Sequence, residues 1–300
     1  MESYQDRFDG HGFDGHDAQR YFASHLALPV CVVVAYLAMI WWLPRYMAHR
    51  PAYNLRSTSR IWNLAVAVFS ICGAMVCVPH LFRQLTTHGF YYTVCHDVYE
   101  LAGYGRPAFW AALFTWSKLL ELVDTVLIIL RKRKLIMLHW FHHASVIIFA
   151  WAAWVYETPA ALWYGAMNYT VHAIMYTYFA LTSISGVRAA VMRAAPFITS
   201  LQIAQFAWGT VINMYMAVSY MSPTSDCAIQ APILYISAGL YLAYGGLFTK
   251  LFVDRYLREK HHGVSSSMCA NGAFKSNGHS NGVRISHDSH AANADLSKMV

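Results

Sequence analysis

Seven apolar stretches, each close to the length that crosses the hydrocarbon core of a bilayer, limit how this chain can fold more than any other feature. A spanning helix needs about 20 predominantly apolar residues, and its backbone groups must bond within the segment. The stretches are 26–43, 61–78, 107–130, 135–154, 160–182, 197–221 and 229–252. The third is the least apolar, since it holds Lys118, Glu121 and Asp124. We therefore predict an all-α polytopic membrane protein with seven transmembrane helices.

The composition and the placement of the basic residues predict the orientation of these helices. Of the 300 residues 57% are hydrophobic and 12% are charged, whereas soluble domains carry about a quarter charged residues. Lysine and arginine cluster after the first, third, fifth and seventh stretches, and the other connections hold few or none. The positive-inside rule then places the N-terminus in a lumen or outside and the C-terminus in the cytosol. Because the net charge of +7 follows this pattern, we expect no nucleic-acid partner.

The chain is expected to form one membrane domain between two polar ends. Residues 1–25 are polar and predict a lumenal segment without a cleavable signal peptide. Residues 26–255 form the seven-helix domain. Residues 256–300 become rich in Ser, Asn, Gly and His, a composition typical of a disordered cytosolic tail.

Two of the six cysteines fall in connections on the lumenal side of this topology. Cys95 follows the second apolar stretch, and Cys227 follows the sixth. Disulfides form in oxidising compartments such as the lumen of the endoplasmic reticulum. We predict that these two cysteines form a disulfide, with two free thiols as the alternative.

The fourth apolar stretch carries His139-Trp140-Phe141-His142-His143, which we call the histidine box. At helical spacing the three imidazoles share one face and converge on one space. Ionisable groups at membrane depth are costly and usually face a protein interior where they have a function. Imidazole serves as a metal ligand, a general base or a nucleophile. The box therefore predicts a catalytic centre or a metal site.

Other polar residues lie at a similar depth on the third, fifth and sixth stretches. They are Lys118, Glu121, Asp124, Asn168, His172, Tyr176, Tyr178, Gln202 and Gln205. If the helices pack as neighbours, these side chains line one pocket that opens toward the cytosol. Each group also has a structural interpretation: an ion cluster that neutralises itself, a satisfied core histidine, packed tyrosines, and glutamines that hydrogen-bond between helices.

Three functional classes are compatible with these features. Membrane di-iron desaturases and hydroxylases share the spacing of the histidine box, but they need more histidines than the four in this membrane core. A metal-dependent lipid oxidoreductase therefore stays an alternative, although the membrane core offers few histidine ligands for the metal. Seven spans with an external N-terminus also describe receptors and transporters. An enzyme that uses imidazole as a general base or nucleophile without a metal is the third class.

Four motifs in order resemble the ELO family of very-long-chain fatty acid elongases. They are Lys118-x-x-Glu121-x-x-Asp124-Thr125, the histidine box, Asn168-x-x-x-His172-x-x-Met175-Tyr176-x-Tyr178, and Thr199-x-x-Gln202-x-x-Gln205. The resemblance covers about residues 25–255 and is strongest to the branch that acts on saturated and monounsaturated C16–C18 acyl chains. Phe179 departs from the pattern, because the family usually has a second tyrosine there.

The resemblance implies the condensation of a long-chain acyl-CoA with malonyl-CoA to a 3-ketoacyl-CoA, CO2 and free CoA, with no cofactor and no metal. It implies six helices that form a barrel around a narrow acyl tunnel, with the seventh helix outside. It also implies residence in the membrane of the endoplasmic reticulum among membrane lipids. Other enzymes of the elongation cycle and a second copy of the chain stay open as protein partners.

The resemblance also implies roles for individual residues. His142 is the expected nucleophile, although the sequence does not separate it from His139 or His143. The two other box histidines would deprotonate and orient it, Glu121 and Asp124 would fix their tautomers, and Lys118 would balance charge. His172 and Asn168 would stabilise an oxyanion or enolate. The expected substrate-binding residues also include Tyr176, Tyr178, Gln202, Gln205, Arg131 and Lys134, the last two through CoA phosphates or only as determinants of topology.

Overall fold

The computed structural model describes residues 12–258 and is helical over most of them. The helices are α1 Gly15–Ser24, α2 Ala27–Met47, α3 Arg56–Cys95, α4 Val98–Ala102, α5 Gly105–Leu120, α6 Leu122–Leu130, α7 Met137–Val155, α8 Ala161–Thr182, α9 Ser185–Met192, α10 Ala195–Met221, α11 Ala231–Phe252 and a π-helical turn Val253–Arg258. Within residues 12–258 the extended pairing is limited to one isolated bridge between Asp14 and Tyr104. The start of the expected lumenal segment and nearly all of the expected cytosolic tail lie outside the described residues.

Every predicted apolar stretch coincides with a helix. Among residues 12–258, three helical segments are long and apolar enough to cross a membrane by length and composition, so the prediction of seven spans is not confirmed. The three are Ala27–Met47, Arg56–Cys95 and Ala231–Arg258. The third stretch is not one helix as predicted, because a turn at Glu121 separates α5 from α6. There the amide of Asp124 bonds to the carbonyl of Glu121, three residues back, so the winding tightens for one turn. The protein is therefore all-helical, with helices suited to a membrane.

Helix α3 extends well past the predicted end of the second stretch and is kinked. Gly89 lies inside it with φ 83° and ψ 175°, a conformation that costs a residue with a Cβ atom much more than it costs glycine. The chain continues as helix to Cys95, which lies in a disulfide with Cys227. The Cα atoms of this pair are 4.5 Å apart, and the amide of Ala228 donates to the carbonyl of Cys95 at 2.8 Å.

The N-terminal helix α1 is a feature that the sequence analysis did not anticipate in residues 1–25. The ring of Phe22 in this helix is buried and lies against Trp151 and Trp154 of α7. The indole N–H of Trp151 donates to the carbonyl of Phe22 at 2.8 Å. The amide of Gly15 donates to the carbonyl of Gly103 at 2.7 Å, which ties the segment to the turn between α4 and α5. The segment that was expected to be lumenal thus contains a packed helix, α1.

The long helices pack in a continuous order. Helix α3 packs against α8, α8 against α10, α10 against α11, α11 against α7, α7 against α5, and α5 returns to α3. Helix α2 packs against α6 and α7 and exposes large apolar side chains such as Val34 and Trp41. Exposed apolar surface of this kind is suited to contact with lipid. The histidine box lies on α7, and Asn168 and His172 lie on α8, which both belong to this continuous order, whereas Asp124 lies on α6.

Candidate active site

The histidine box occupies the first two turns of α7. The ring centroids of His139 and His143 are 4.3 Å apart, and those of His142 and His143 are 5.5 Å apart. His143 is buried, whereas His139 and His142 are partly buried. Helical spacing explains why 139 and 143 meet, since residues four apart lie one above the other on the same face. The box is therefore a compact group of three imidazoles at one end of the helix.

Helix α8 brings a second polar group to the box. Asn168 and His172 are one turn apart, and their side chains are in contact through Asn168 Nδ2 and His172 Nε2 at 3.3 Å. The His172 side chain is buried. It lies in one cavity with the three histidines of the box, so imidazoles from two separate helices line the same space.

This first cavity, which we call the histidine cavity, has an empty volume of about 830 Å³. Its polar lining consists of Asp124, His139, His142, His143, Asn168, His172, Tyr176, Gln202 and Gln205. Phe179, Phe248 and Leu251 supply part of its apolar lining. Four helices thus contribute polar side chains to one space, which is the arrangement that the matching depths in the sequence predicted.

A second cavity, which we call the apolar cavity, adjoins the first and has an empty volume of about 1110 Å³. The residues that line both cavities are His142, Asn168, Gln205 and Phe206. Most of its remaining lining is hydrocarbon or aromatic, including Phe114, Phe149 and Tyr241. The histidine cavity and the apolar cavity therefore meet at His142 of the box and Asn168 of α8.

The end of the apolar cavity remote from the box is lined by the α4 helix and the connection after α7. Tyr99 Oη donates to a carboxylate oxygen of Glu157 at 3.3 Å. Burial and the adjacent Glu157 carboxylate raise the pKa of the Tyr99 phenol, so the hydroxyl stays protonated and acts as the donor. The ring of His16 stacks on Tyr99 with centroids 3.7 Å apart. This contact joins the N-terminal helix to the far end of the apolar cavity.

A buried network of hydrogen bonds holds the side chains of Asn168 and His172 in place. Lys118 Nζ donates to Glu121 Oε1 at 2.6 Å and to Asn168 Oδ1 at 2.9 Å. An ammonium group only donates, so the Asn168 oxygen faces Lys118 and the amide N–H₂ faces His172. His172 Nε2 is then the acceptor, and its proton is on Nδ1, which lies 3.6 Å from Glu121 Oε1. Lys118 lines neither cavity, and its contact with the site is the hydrogen bond to Asn168.

The carboxylate of Asp124 has different partners from those expected. One oxygen accepts from the indole N–H of Trp62 at 2.6 Å, and the other accepts from the hydroxyl of Tyr176. Asp124 therefore does not fix the tautomer of a box histidine, contrary to the expectation from the sequence. Glu121 likewise faces His172 of α8 and not the box. Trp62 is a residue that the sequence analysis missed, because an indole at the start of an apolar stretch looks like an ordinary packing residue.

Comparison with known proteins identifies the family. Residues 21–264 match the ELO: GNS1/SUR4 family. A fatty acid elongase 3 of Trypanosoma cruzi is 34% identical over 268 residues, which cover 82% of this chain and 89% of the relative. A very long chain fatty acid elongase 6 of Gallus gallus is 36% identical over 245 residues, which cover 82% of this chain and 90% of the relative.

The chain belongs to the ELO family. A very long chain fatty acid elongase 4 of Trypanosoma cruzi, 36% identical over 250 residues, is similar over 83% of this chain and 86% of its own length. The family match favours fatty acid elongation over the oxidoreductase, receptor and transporter alternatives.

The remaining residues of the ELO motifs divide between the cavity and the protein core. Gln202 and Gln205 line the histidine cavity, and Gln202 Nε2 donates to the sulfur of Met175 at 3.2 Å. Tyr176 lines this cavity too, whereas Tyr178 is packed in the apolar core beside Ala67 and does not line it. The structure therefore gives Tyr178 the packing role that was one of its two interpretations.

The basic residues expected to bind CoA phosphates lie outside both cavities. Arg131 Nη1 donates to Ser59 Oγ at 3.2 Å, and Lys134 is exposed in the connection before the box. Tyr244 of α11, which the sequence analysis missed, lies beside His142 of the histidine box. Its ring centroid is 5.0 Å from that of His142, and its hydroxyl bonds to Ser145 Oγ at 2.8 Å. In the ELO chain the wall beside His142 is thus formed partly by Tyr244.

Two buried polar atoms of the site have no hydrogen-bond partner within residues 12–258. They are His143 Nδ1 and Glu121 Oε2. Buried polar atoms are usually paired, and exceptions often mark a functional site. Residues 12–258 contain no group of three or more His, Cys, Asp or Glu side chains placed to hold a metal ion.

Proposed function

We propose that this ELO chain condenses a long-chain acyl-CoA with malonyl-CoA to give a 3-ketoacyl-CoA two carbons longer, CO2 and free CoA. Fatty acid elongation is the activity that the family and its named relatives support. The observation that carries the proposal is that His142 and Asn168 line both cavities. A thioester held at this junction has its acyl chain on the apolar side and its CoA on the polar side.

The apolar cavity supplies the binding energy for the acyl chain. Each buried methylene group contributes about 0.8 kcal/mol of transfer free energy. Aromatic and aliphatic side chains form most of its lining, with Tyr99 and Glu157 at the far end. We propose that the six helices in continuous contact form a barrel around this space, with α2 outside the barrel.

The first half of the reaction is proposed to transfer the acyl group to imidazole. A nitrogen of His142 attacks the thioester carbonyl carbon, the C–S bond breaks, and the imidazole proton passes to a neighbouring group and then to the leaving CoA thiolate. His143 is next to His142, and its Nδ1 is buried without a partner among residues 12–258. His143 is therefore the neighbour best placed to accept that proton. The products of this half are an acyl-imidazole and CoA.

The second half uses malonyl-CoA as the carbon nucleophile. Loss of CO2 leaves the electron pair of the broken C–C bond on the α-carbon as an enolate. That carbon attacks the acyl-imidazole carbonyl, the C–N bond breaks, and the released imidazolate of His142 takes up one proton from solvent, which restores the neutral imidazole. The N–H₂ group of Asn168, oriented by Lys118, is a fixed donor at the cavity junction and is suited to the developing oxyanion. Exclusion of bulk water protects the acyl-imidazole from hydrolysis.

The membrane setting follows from the same assignment. We propose that the histidine-box end faces the cytosol, where both CoA substrates are found, and that the Tyr99 end faces a lumen. The Cys95–Cys227 disulfide lies at the lumenal end in this orientation, which suits an oxidising compartment. We propose the membrane of the endoplasmic reticulum as that location.

The test is a reconstituted condensation. The purified chain is incubated with labelled malonyl-CoA and a panel of saturated and monounsaturated acyl-CoAs, and the CoA products are separated by mass. We expect labelled 3-ketoacyl-CoA two carbons longer than the acceptor and an equal amount of CO2. Absence of an elongated product across the panel, from protein that elutes as a folded species, would overturn the proposal. His142→Ala, which removes the nucleophile, is the matched negative control.

A further inference from the structure

A buried chain of hydroxyl groups joins the outer helix α2 to the histidine box. The hydroxyl of Tyr36 lies 3.0 Å from Thr125 Oγ1, and Thr125 Oγ1 lies 2.9 Å from His139 Nε2. Both Tyr36 and Thr125 are buried, with exposed fractions of 3% and 0%. The three groups come from α2, α6 and α7, so the contact depends on tertiary packing. None of the catalytic steps above uses Tyr36 or Thr125.

The number of protons in this chain decides its direction. A hydroxyl carries one proton, and Thr125 is the hydrogen-bond partner of the Tyr36 hydroxyl within residues 12–258. If His139 donated from Nε2 to Thr125, either the Thr125 proton or the Tyr36 proton would have no acceptor there. If Tyr36 donates to Thr125, then Thr125 donates to Nε2, and both hydroxyl protons have an acceptor. Buried donors are normally satisfied, so the second direction is favoured.

We propose that Tyr36 is a positioning residue that acts through Thr125 to set the tautomer of His139, with the proton on Nδ1 and Nε2 held as an acceptor. This inference deepens the proposed function, since it assigns different roles to the box histidines. The Nε2 lone pair of His139 is occupied and does not remove a proton. His139 instead holds the ring of His143, whose centroid is 4.3 Å away, and leaves His143 to accept the proton of His142.

The other titratable groups that line the cavity with His139 are not bonded to the Tyr36 hydroxyl. They are His142 and His143 on α7, Asp124 on α6, and His172 and Tyr176 on α8. The Asp124 carboxylate is already bonded to Trp62 and Tyr176. Tyr36→Phe keeps the ring that packs α2 against α6 and deletes only the donor. Its effect on His139 therefore reports the hydroxyl chain and not the loss of a helix contact.

The experiment measures the modification of individual histidines in the full-length protein with diethyl pyrocarbonate, which reacts with neutral imidazole. The rate at His139 is followed by peptide mass spectrometry across a range of pH, in wild type, Tyr36→Phe, Thr125→Ser and Thr125→Val. Tyr46→Phe, on the same helix with an exposed ring, is the matched control for loss of a tyrosine hydroxyl. His142 in each protein is the internal control.

In Tyr36→Phe, the Thr125 hydroxyl no longer accepts the bond that strengthens its own donation to neutral Nε2, so His139 takes up a proton more readily. We expect the midpoint of its modification profile to move to higher pH by about a third of a unit, the size expected for the weakening of one hydrogen bond in a chain. Thr125→Ser, which keeps the hydroxyl, should match wild type, as should Tyr46→Phe. In the Thr125→Val background, the addition of Tyr36→Phe should change nothing further.

Two results would overturn the inference. One is an unchanged midpoint at His139 in Tyr36→Phe, and the other is an equal effect of Tyr36→Phe with Thr125→Val present. Neither readout requires condensation activity, so a failure of the hydroxyl chain is separate from a failure of the proposed function. In single-turnover assays of acyl transfer, Tyr36→Phe should lower the rate by about two- to tenfold, and Thr125→Ser should not.

Discussion

Lys118 Nζ donates to the side-chain oxygen of Asn168 at 2.9 Å across the interface between α5 and α8. This contact orients an amide that faces His172, so a buried cation on one helix determines the hydrogen bonding of an imidazole on another. The partner charge is Glu121, 2.6 Å from the same ammonium. Lys118 and Glu121, interpreted from the sequence as either a structural ion pair or part of a site, form a buried ion pair that also contacts Asn168 at the junction of the two cavities.

Removal of the Lys118 charge should destabilise the fold and impair the site together. Lys118→Met keeps most of the side-chain volume but leaves Glu121 buried without a counter-charge, and such a change costs about 3–5 kcal/mol. We expect a clear loss of thermal stability in detergent and loss of condensation. The double variant Lys118→Met with Glu121→Gln should recover much of the stability. It should not recover the activity, because Asn168 has lost its donor. Recovery of full activity would contradict the orienting role.

Gly209 should control the length of acyl chain that the apolar cavity accepts. A Cβ atom at this position would lie 1.9 Å from Cε1 of Tyr241, a ring that lines the cavity. Gly209→Ala therefore has to displace that ring, and we expect the preference of the enzyme to shift toward shorter acyl-CoAs. The measurement is the product distribution across a panel of acyl-CoA chain lengths.

Gly246→Ala is the matched control for Gly209→Ala, because a Cβ atom at 246 meets no atom within 4 Å. It should leave the distribution unchanged. Tyr241→Leu replaces the ring in the same wall with a smaller side chain and should shift the preference toward longer chains. This variant keeps the prediction testable if Gly209→Ala does not fold. An unchanged preference in both Gly209→Ala and Tyr241→Leu would exclude this wall as a determinant of chain length.

The Cys95–Cys227 disulfide should stabilise the end of the molecule remote from the histidine box. It closes a loop with a sequence separation of 132 residues, and disulfides typically contribute about 2–4 kcal/mol. We expect Cys95→Ser to lower the melting temperature and to remove its dependence on added reductant. Cys31→Ser, which changes an exposed free thiol, should leave both properties as in wild type. A melting temperature of wild type that does not respond to reductant would argue against the bond.

The sequence was sufficient to locate the helices and to bring the polar motifs together, for physical reasons. Apolar stretches near the length of a bilayer leave the backbone few alternatives to helix, and helical spacing places 139 and 143 on one face. Matching depths on antiparallel helices then predicted that His172 would reach the cavity of the box. The structure places it there.

The sequence was not sufficient to identify the partners of each polar group. Trp62, which bonds to Asp124, and Tyr36, which bonds to Thr125, are aromatic residues in apolar helices and look like ordinary membrane-facing positions. Their donors become visible only when the rotation of each helix about its axis is known. Helix α1 was missed because its stability comes from a few contacts, such as Phe22 with Trp151, and not from an apolar face of membrane length.

The most direct test of the central claim is the mass of the intact protein after exposure to acyl-CoA alone. The account predicts an increase equal to one acyl group, located at His142 by peptide mapping, with release of one CoA per chain and loss of the adduct when malonyl-CoA is added. His142→Ala should show no increase. An unchanged mass in wild type that nevertheless elongates acyl-CoA, or an adduct on a residue other than His142, would contradict the proposed mechanism.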